Sequence, residues 1–357
     1  MKLLLYSDPH WSETSSIIRE RGDKYSLRLE NLIRSINWAE SMAYAKHCDA
    51  IVMLGDFFDK PTLTAEEITA LTEIEWADMP HYFIVGNHDA NTSNLCYAST
   101  FVLNKDNFKV VNEPTFIEEP VDVSSSLDIV YLLPYITESD RKPLSEYLSE
   151  LGKSTCVDTS SNQIILSHND MAGINYGKFT SNSGFSVDEI LSNCDLYING
   201  HLHNAGFVDD KEKILNIGNL TGQNFSEDAF IHRHYCAVLN TANLELEFFE
   251  NPYAFNFYKV EITSRNQISM LSDLGPNAVV SIKCLPTLVD ELKNSLVGMD
   301  NISIYRLTTI VDSTKTSEVE ISELTSVNYL TQFYEYMHSI MDNTDILEEE
   351  LQHVIKV

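Results

Sequence analysis

Tyr82-Phe83-Ile84-Val85-Gly86-Asn87-His88-Asp89 is an apolar run that breaks at a glycine into an amide, an imidazole and a carboxylate. Four apolar residues stopped by a turn former read as a short buried strand. The three polar residues behind it can all ligate metal. The same pattern recurs on both sides. Upstream, Leu3 to Tyr6 stops at Ser7-Asp8-Pro9-His10, and Ala50 to Leu54 stops at Gly55-Asp56. Downstream, Ile164 to Leu166 leads into Ser167-His168-Asn169, and Leu196 to Ile198 leads into Asn199-Gly200-His201-Leu202-His203. Ligands of open α/β sheets collect beyond the carboxyl ends of strands, so five such loops can meet in one place.

Helical signals separate the early strands. Leu29, Leu32, Ile33, Ile36, Ala39 and Ala43 recur at helical spacing between Tyr25 and His47. Thr64-Ala65-Glu66-Glu67 has the form of a capping box and predicts a helix over Thr64–Asp78. The alternation predicts an α/β layered fold. The middle of the chain is richer in strands, up to Leu244–Phe249, and Glu250-Asn251-Pro252 then breaks the pattern. The expected division is a catalytic domain over 1–252, a small α/β cap over 253–312 and a helical arm over 313–357. The cap reads as strand, strand, helix, strand at Tyr258–Ile262, Ala278–Lys283, Leu288–Leu296 and Ile302–Leu307. The arm follows a polar linker, Asp312–Ser317. It carries Val327, Leu330, Phe333, Tyr334, Met337, Ile340 and Met341 at helical spacing, a stripe that suits either core packing or a partner.

Composition narrows the classes. With 24 Lys and Arg against 53 Asp and Glu, the formal charge is −29, wrong for a general nucleic-acid coat. An enzyme whose bound cations meet phosphate is not excluded. The six cysteines form no CxxC and read as reduced thiols of a reducing compartment. The opening apolar run is too short for a signal peptide, and no stretch approaches a membrane span. A soluble cytoplasmic chain is expected.

Carboxylate, amide oxygen and neutral imidazole together suit manganese, iron or zinc, and exclude a thiolate-bound structural zinc. Asp56 is the natural bridge between two ions, which would share a water and hold the oxygens of an in-line displacement. Gly55, Gly86 and Gly200 each precede a ligand, where a tight turn is expected. Taken singly, Asp8-x-His10 is a cap or surface pair, Gly55-Asp56 an ordinary turn, and the later histidines core residues. All five in this order set those readings aside in favour of one metal-binding centre. Arg19, Arg21, Lys24 and Arg28 read equally as phosphate grips or as a solvated helix approach, and His232-Arg233-His234 as a surface turn.

The ordered set D-x-H, G-D, G-N-H-D, H, G-H-x-H resembles the calcineurin-like metallophosphoesterases. Gly55-Asp56-Phe57-Phe58-Asp59 and the segment from Ile217 to Glu227 narrow the resemblance to the SbcD-type nuclease subunit, the meiotic recombination eleven family of eukaryotes. That resemblance implies a double β-sheet sandwich flanked by helices, with a DNA-facing cap and a partner-binding arm. It implies two divalent ions, Mn2+ foremost. Asp8, His10, Asp56 and His203 would hold one, and Asp56, Asn87, His168 and His201 the other. His88 would be the catalytic group, oriented by Asp89. The implied partners are DNA, an SbcC-type coiled-coil ATPase and a second copy of the chain, in recombination and break processing. A stand-alone esterase for nucleotides or phosphoproteins and a non-catalytic scaffold are the alternatives. Trp11-Ser12 and Asn219-Leu220 depart from the family pattern (Leu-Gly and Ser-Pro), which bears on substrate contacts.

Overall fold

Leu3, Leu4, Leu5 and Tyr6 are all fully buried, and their alternation sets the layering. In the computed structural model they form strand β1 (Lys2–Tyr6), whose successive side chains point to opposite faces. Leu4 and Tyr6 meet Leu29, Leu32, Ile36 and Ala39 of helix α1 (Leu27–Ala45), while Leu3 and Leu5 face the opposite way. Ser26 caps α1 by accepting from Leu29 N–H at 3.2 Å. The structure describes residues 1–91, 94–117, 128–151, 162–176, 179–275, 277–297, 299 and 302–310. The chain divides after Thr309, and every described residue except Ile310 lies in the first unit.

Strands β2 (Ala50–Met53), β3 (His81–Ile84) and β4 (Phe108–Val111) extend β1 as parallel neighbours, with α2 (Ala65–Ala70) between β2 and β3. A second six-stranded sheet is built from β5 (Thr115–Ile117), β6 (Ile129–Leu133) and β7 (Gln163–Ser167), with α3 (Leu144–Glu150) between the last two. Four two-residue strands follow, β8 (Met171–Ala172), β9 (Asn175–Tyr176), β10 (Phe179–Thr180) and β11 (Phe185–Ser186), then α4 (Val187–Asn193). The second sheet is completed by β12 (Leu196–Asn199), β13 (Gly206–Phe207) and β14 (Ile214–Asn216). The first sheet is completed by β15 (Tyr235–Asn240) and β16 (Glu245–Glu250), both antiparallel. Leu3, Leu5, Val52 and Ile84 of one sheet meet Val130, Leu132, Ile164, Leu166 and Ile198 of the other in one core. Tyr131, Ile165 and Tyr197 face outward onto Leu144, Leu148 and Ile190 of α3 and α4. The order is helix, sheet, sheet, helix, the expected sandwich.

Beyond it, β17 (Asn256–Ile262), α5 (Asn266–Ser269), β18 (Ala278–Cys284), α6 (Val289–Leu296) and β19 (Ile302–Thr309) form a three-stranded sheet, parallel throughout, with its own core. One short helix is added to the expected cap order. The 313–357 arm and its stripe lie outside the described residues. No helix among the described residues is long and apolar enough to cross a membrane.

The helix predicted over Thr64–Asp78 starts where expected, with both halves of the Thr64/Glu67 capping box formed, but it ends early. One 3₁₀ turn covers Leu71–Glu73, and the chain is extended at Ile74. Trp76 explains the stop. Its half-buried ring sits 5.1 Å from Phe108 and 5.8 Å from Phe83, packing that overrides helical periodicity.

Candidate metal centre

The parallel strands β1, β2 and β3 of one sheet and β7 and β12 of the other end at the same place, so their C-terminal loops meet. The β1–β2 pairing continues past the strands: Asp8 N–H donates to Gly55 O (3.2 Å), His10 N–H to Asp56 O (3.1 Å) and Trp11 N–H to Phe57 O (2.6 Å). Asp8, His10, Asp56 and His201 all have positive φ, from 49° to 70°. Half of the described non-glycine residues in that region are therefore at this spot, the clustering of backbone strain typical of functional sites.

Glycine has two uses here. Gly55 takes a left-handed conformation, φ +93°, and turns the chain as expected. Gly86 and Gly200 do not need positive φ; they make room. A Cβ on Gly86 would fall on Asp56 Oδ1, and one on Gly200 on Leu54 O and Ser7 Oγ. Buried amides lock the second sheet's loops. Asn169 receives Ile136 N–H at 2.8 Å and donates to Pro134 O at 2.8 Å, and Asn199 Nδ2 donates to Asn169 O at 2.9 Å.

Three donor groups result: Asp8 with His10 and His203; Asp56 with His168 and His201; and His10 with Asp56 and His88. Asn87 Oδ1 joins the second, 3.1 Å from His168 Nε2 and 3.0 Å from His201 Nδ1. Asp56 Oδ2 lies 3.1 Å from His168 Nε2 and 3.9 Å from His10 Nε2, between the groups. All seven expected ligands are thus brought together. Burial alone would raise the Asp8 and Asp56 carboxyls, but the surrounding imidazoles, His168 foremost, hold both low. In return, against burial, Asp59, Asp8 and Asp56 push His10 up to about 10, and Asp56 and Asp8 push His168 up to about 9.

The residues fit divalent cations. Asp8 Oδ1 is buried with no hydrogen-bond donor. His10 Nε2 faces His203 Nε2 at 3.2 Å, two nitrogens that call for something positive between them. The far nitrogens are engaged: His168 Nδ1 with Leu54 O (2.7 Å), His201 Nε2 with Asp170 Oδ1 (3.0 Å) and His203 Nδ1 with Glu227 Oε1 (2.8 Å). Carbonyls and carboxylates only accept, so those nitrogens carry the protons and the others present lone pairs to the site. Two ions there would supply Lewis acidity and acidify a shared water.

A family model of the calcineurin-like phosphoesterases matches residues 1–205. The chain belongs to that family. Membership in the calcineurin-like phosphoesterases implies metal-dependent hydrolysis of phosphoesters. No curated protein matches the chain. Solved structures similar to it include the TT1561 protein of Thermus thermophilus, at 12% identity over 70% of this chain and 98% of that one, TM-score 0.40. A dimetal phosphatase from Danio rerio is 12% identical over 70% and 95%, TM-score 0.42. A metallophosphoesterase from Sphaerobacter thermophilus is 15% identical over 70% and 88%, TM-score 0.27. The assignment rests on the family match and on the seven donors.

Several sequence expectations about this phosphoesterase site need correcting. Asp89 does not orient the His88 ring. Its carboxylate accepts from Phe58 N–H and Gly86 N–H, each at 2.8 Å, and so clamps the β2 and β3 loops together. Burial and the charge of Asp56 push Asp89 up to about 7. The exposed His88 ring instead meets Asp59 O at 3.1 Å and stands edge-on to His10. Trp11 does not face substrate. It is fully buried, stacked on Phe57, with its indole N–H on Glu67 O at 3.0 Å. Leu220 is core, and Asn219 is buried between Glu227 and His234. Arg28 grips no phosphate: it is buried and donates to His10 O at 3.0 Å. Arg21 is held by Glu66 and Lys24 by Glu73. His234 is buried as well, so the 232–234 turn is only partly surface.

Asp59, Asp170 and Glu227 are site residues to which sequence reading gave no role. Each carboxylate lies against a histidine ligand, Asp59 Oδ1 3.3 Å from His10 Nδ1, and no spacing announces it.

Proposed function

We propose that this phosphoesterase is a two-ion, Mn2+-type phosphodiesterase of DNA, working as an SbcD-type subunit with an SbcC-type coiled-coil ATPase. Hydrolysis is supported by the convergence of the seven donors and the exposed His88 beside them. The observation that carries the DNA part is a face of the three-stranded sheet. Register puts Phe257 beside Val279, then Lys259 beside Ser281 and Arg306, then Glu261 beside Lys283 and Thr308. Phe257 and Val279 are buried against Ile18 and Phe225. Lys259, Lys283 and Arg306 are exposed and form no ion pair among the described residues. Three cations against one acid on a single sheet face are out of keeping with a net charge of −29. They suit a phosphate backbone, which extends beyond the reacting ester; a small phosphomonoester would leave them without a use.

The test offers purified protein with Mn2+ three substrates: DNA, a simple phosphodiester and a phosphomonoester. Cleavage of DNA, weakened by Lys259→Ala with Lys283→Ala, supports the proposal. Efficient hydrolysis of the monoester alone would replace it with a stand-alone phosphatase.

A further inference from the structure

The two candidate ion positions are backed by different carboxylates. Glu227 is 1% exposed and receives His203 Nδ1–H at 2.8 Å, Asn219 Nδ2–H at 3.0 Å and Gln223 N–H at 2.8 Å. Asp170 is 25% exposed and receives His201 Nε2–H at 3.0 Å. His203 belongs to the Asp8/His10 donor group and His201 to the Asp56/His168 group. Each carboxylate therefore touches one group only.

We infer that Glu227 and Asp170 are positioning residues that separately set the affinity of the two metal ions, Glu227 through His203 and Asp170 through His201. A carboxylate on the far nitrogen fixes the tautomer, aims the lone pair and makes the imidazole a stronger ligand. Glu227 is the more constrained of the two. The loop bearing it is tied to β17 and the strand's approach, through Gly222 N–H on Phe255 O (3.1 Å) and Ala229 N–H on Phe257 O (3.0 Å). Phe225 of that loop packs 5.2 Å from Phe257 and 5.3 Å from Tyr305. The His203 side of the centre is thus seated on the three-stranded sheet; among the described residues the His201 side has no such tie.

The inference rests on the two-ion reading, and Mn2+ titration separates the two. Free Mn2+ is followed by electron paramagnetic resonance for the full-length protein, Glu227→Gln, Asp170→Asn and the double variant. Wild type should take up two ions. Each single variant, isosteric but uncharged, should loosen one ion about 10- to 100-fold and leave the other unchanged. The double variant should loosen both. Equal weakening of both ions by either variant, or one ion left tight in the double variant, would overturn the assignment while sparing the two-ion reading. Failure of wild type to bind two ions would overturn both. If Glu227→Gln does not fold, the partly exposed Asp170→Asn still decides: two unchanged affinities would contradict the inference.

Discussion

His10 Nε2 and His203 Nε2 face one another at 3.2 Å, although 193 residues separate them in the chain. Glu227 holds the proton of His203 on the opposite nitrogen, so His203 Nε2 turns a lone pair toward His10. Asp59, Asp8 and Asp56 surround the buried His10 ring and favour a proton on it, against burial, raising the group to about 10.

That proton gives a pH prediction. His10 and His168 are raised to about 10 and about 9, above the ordinary value of about 6.5. Raised imidazoles stabilise the fold fully below their unfolded pKa, and the contribution is lost as pH climbs through the folded values. In EDTA, the unfolding temperature should fall between about pH 7 and 10. Because ligands bind as neutral imidazoles, Mn2+ loading at pH 7.5 should release protons. A flat stability profile together with proton-neutral loading would contradict this picture.

His88 contributes its backbone N–H to Asp56 Oδ1 at 2.7 Å and leaves its ring exposed. It also stands in a donor group with His10 and Asp56, so ligation and proton transfer make different predictions. If it acts on the reacting ester, His88→Asn should keep both bound ions while turnover falls by about 100- to 10,000-fold. Loss of an ion in metal analysis would make it a ligand instead.

Gly86→Ala should damage the site from within. The added methyl falls on Asp56 Oδ1 and its backbone nitrogen, neither of which can retreat from a fully packed loop. Overpacking of this kind costs about 1–3 kcal/mol, readable in urea unfolding, and Mn2+ affinity should drop with it. A variant as stable and as tightly metallated as wild type would show that the loop yields.

The ligands were legible because each follows an apolar run that stops abruptly, and five such stops imply one meeting point. What lay behind them was not. Asp170 sits beside His168-Asn169 in the chain, yet it serves His201, 31 residues on. Glu227 serves His203 only because its loop closes onto the three-stranded sheet. The departure at Trp11 bore on substrate contacts when read in sequence, whereas the strand pairing runs on through it and buries it. Similarly, the start of α2 is written in a local hydrogen-bond pair, while its end depends on the distant aromatic cluster around Trp76.

The C-terminal stripe from Val327 to Met341 gives a prediction of its own. If the proposed SbcC-type ATPase docks there, deleting 318–357 should abolish co-purification with it and leave the proposed Mn2+-dependent cleavage of single-stranded DNA intact. An insoluble or wholly inactive truncation would assign the stripe to the enzyme's own core.

Asp56 tests the central claim most directly, since its carboxylate stands between the two donor groups. Wild type and Asp56→Asn should be compared side by side for Mn2+ content and DNA cleavage in Mn2+. The account predicts fewer bound ions and a loss of cleavage exceeding the roughly 100-fold upper limit usual for residues behind the ligands, with the fold retained. Asp56→Asn that still binds two ions and cleaves DNA at the wild-type rate would contradict it.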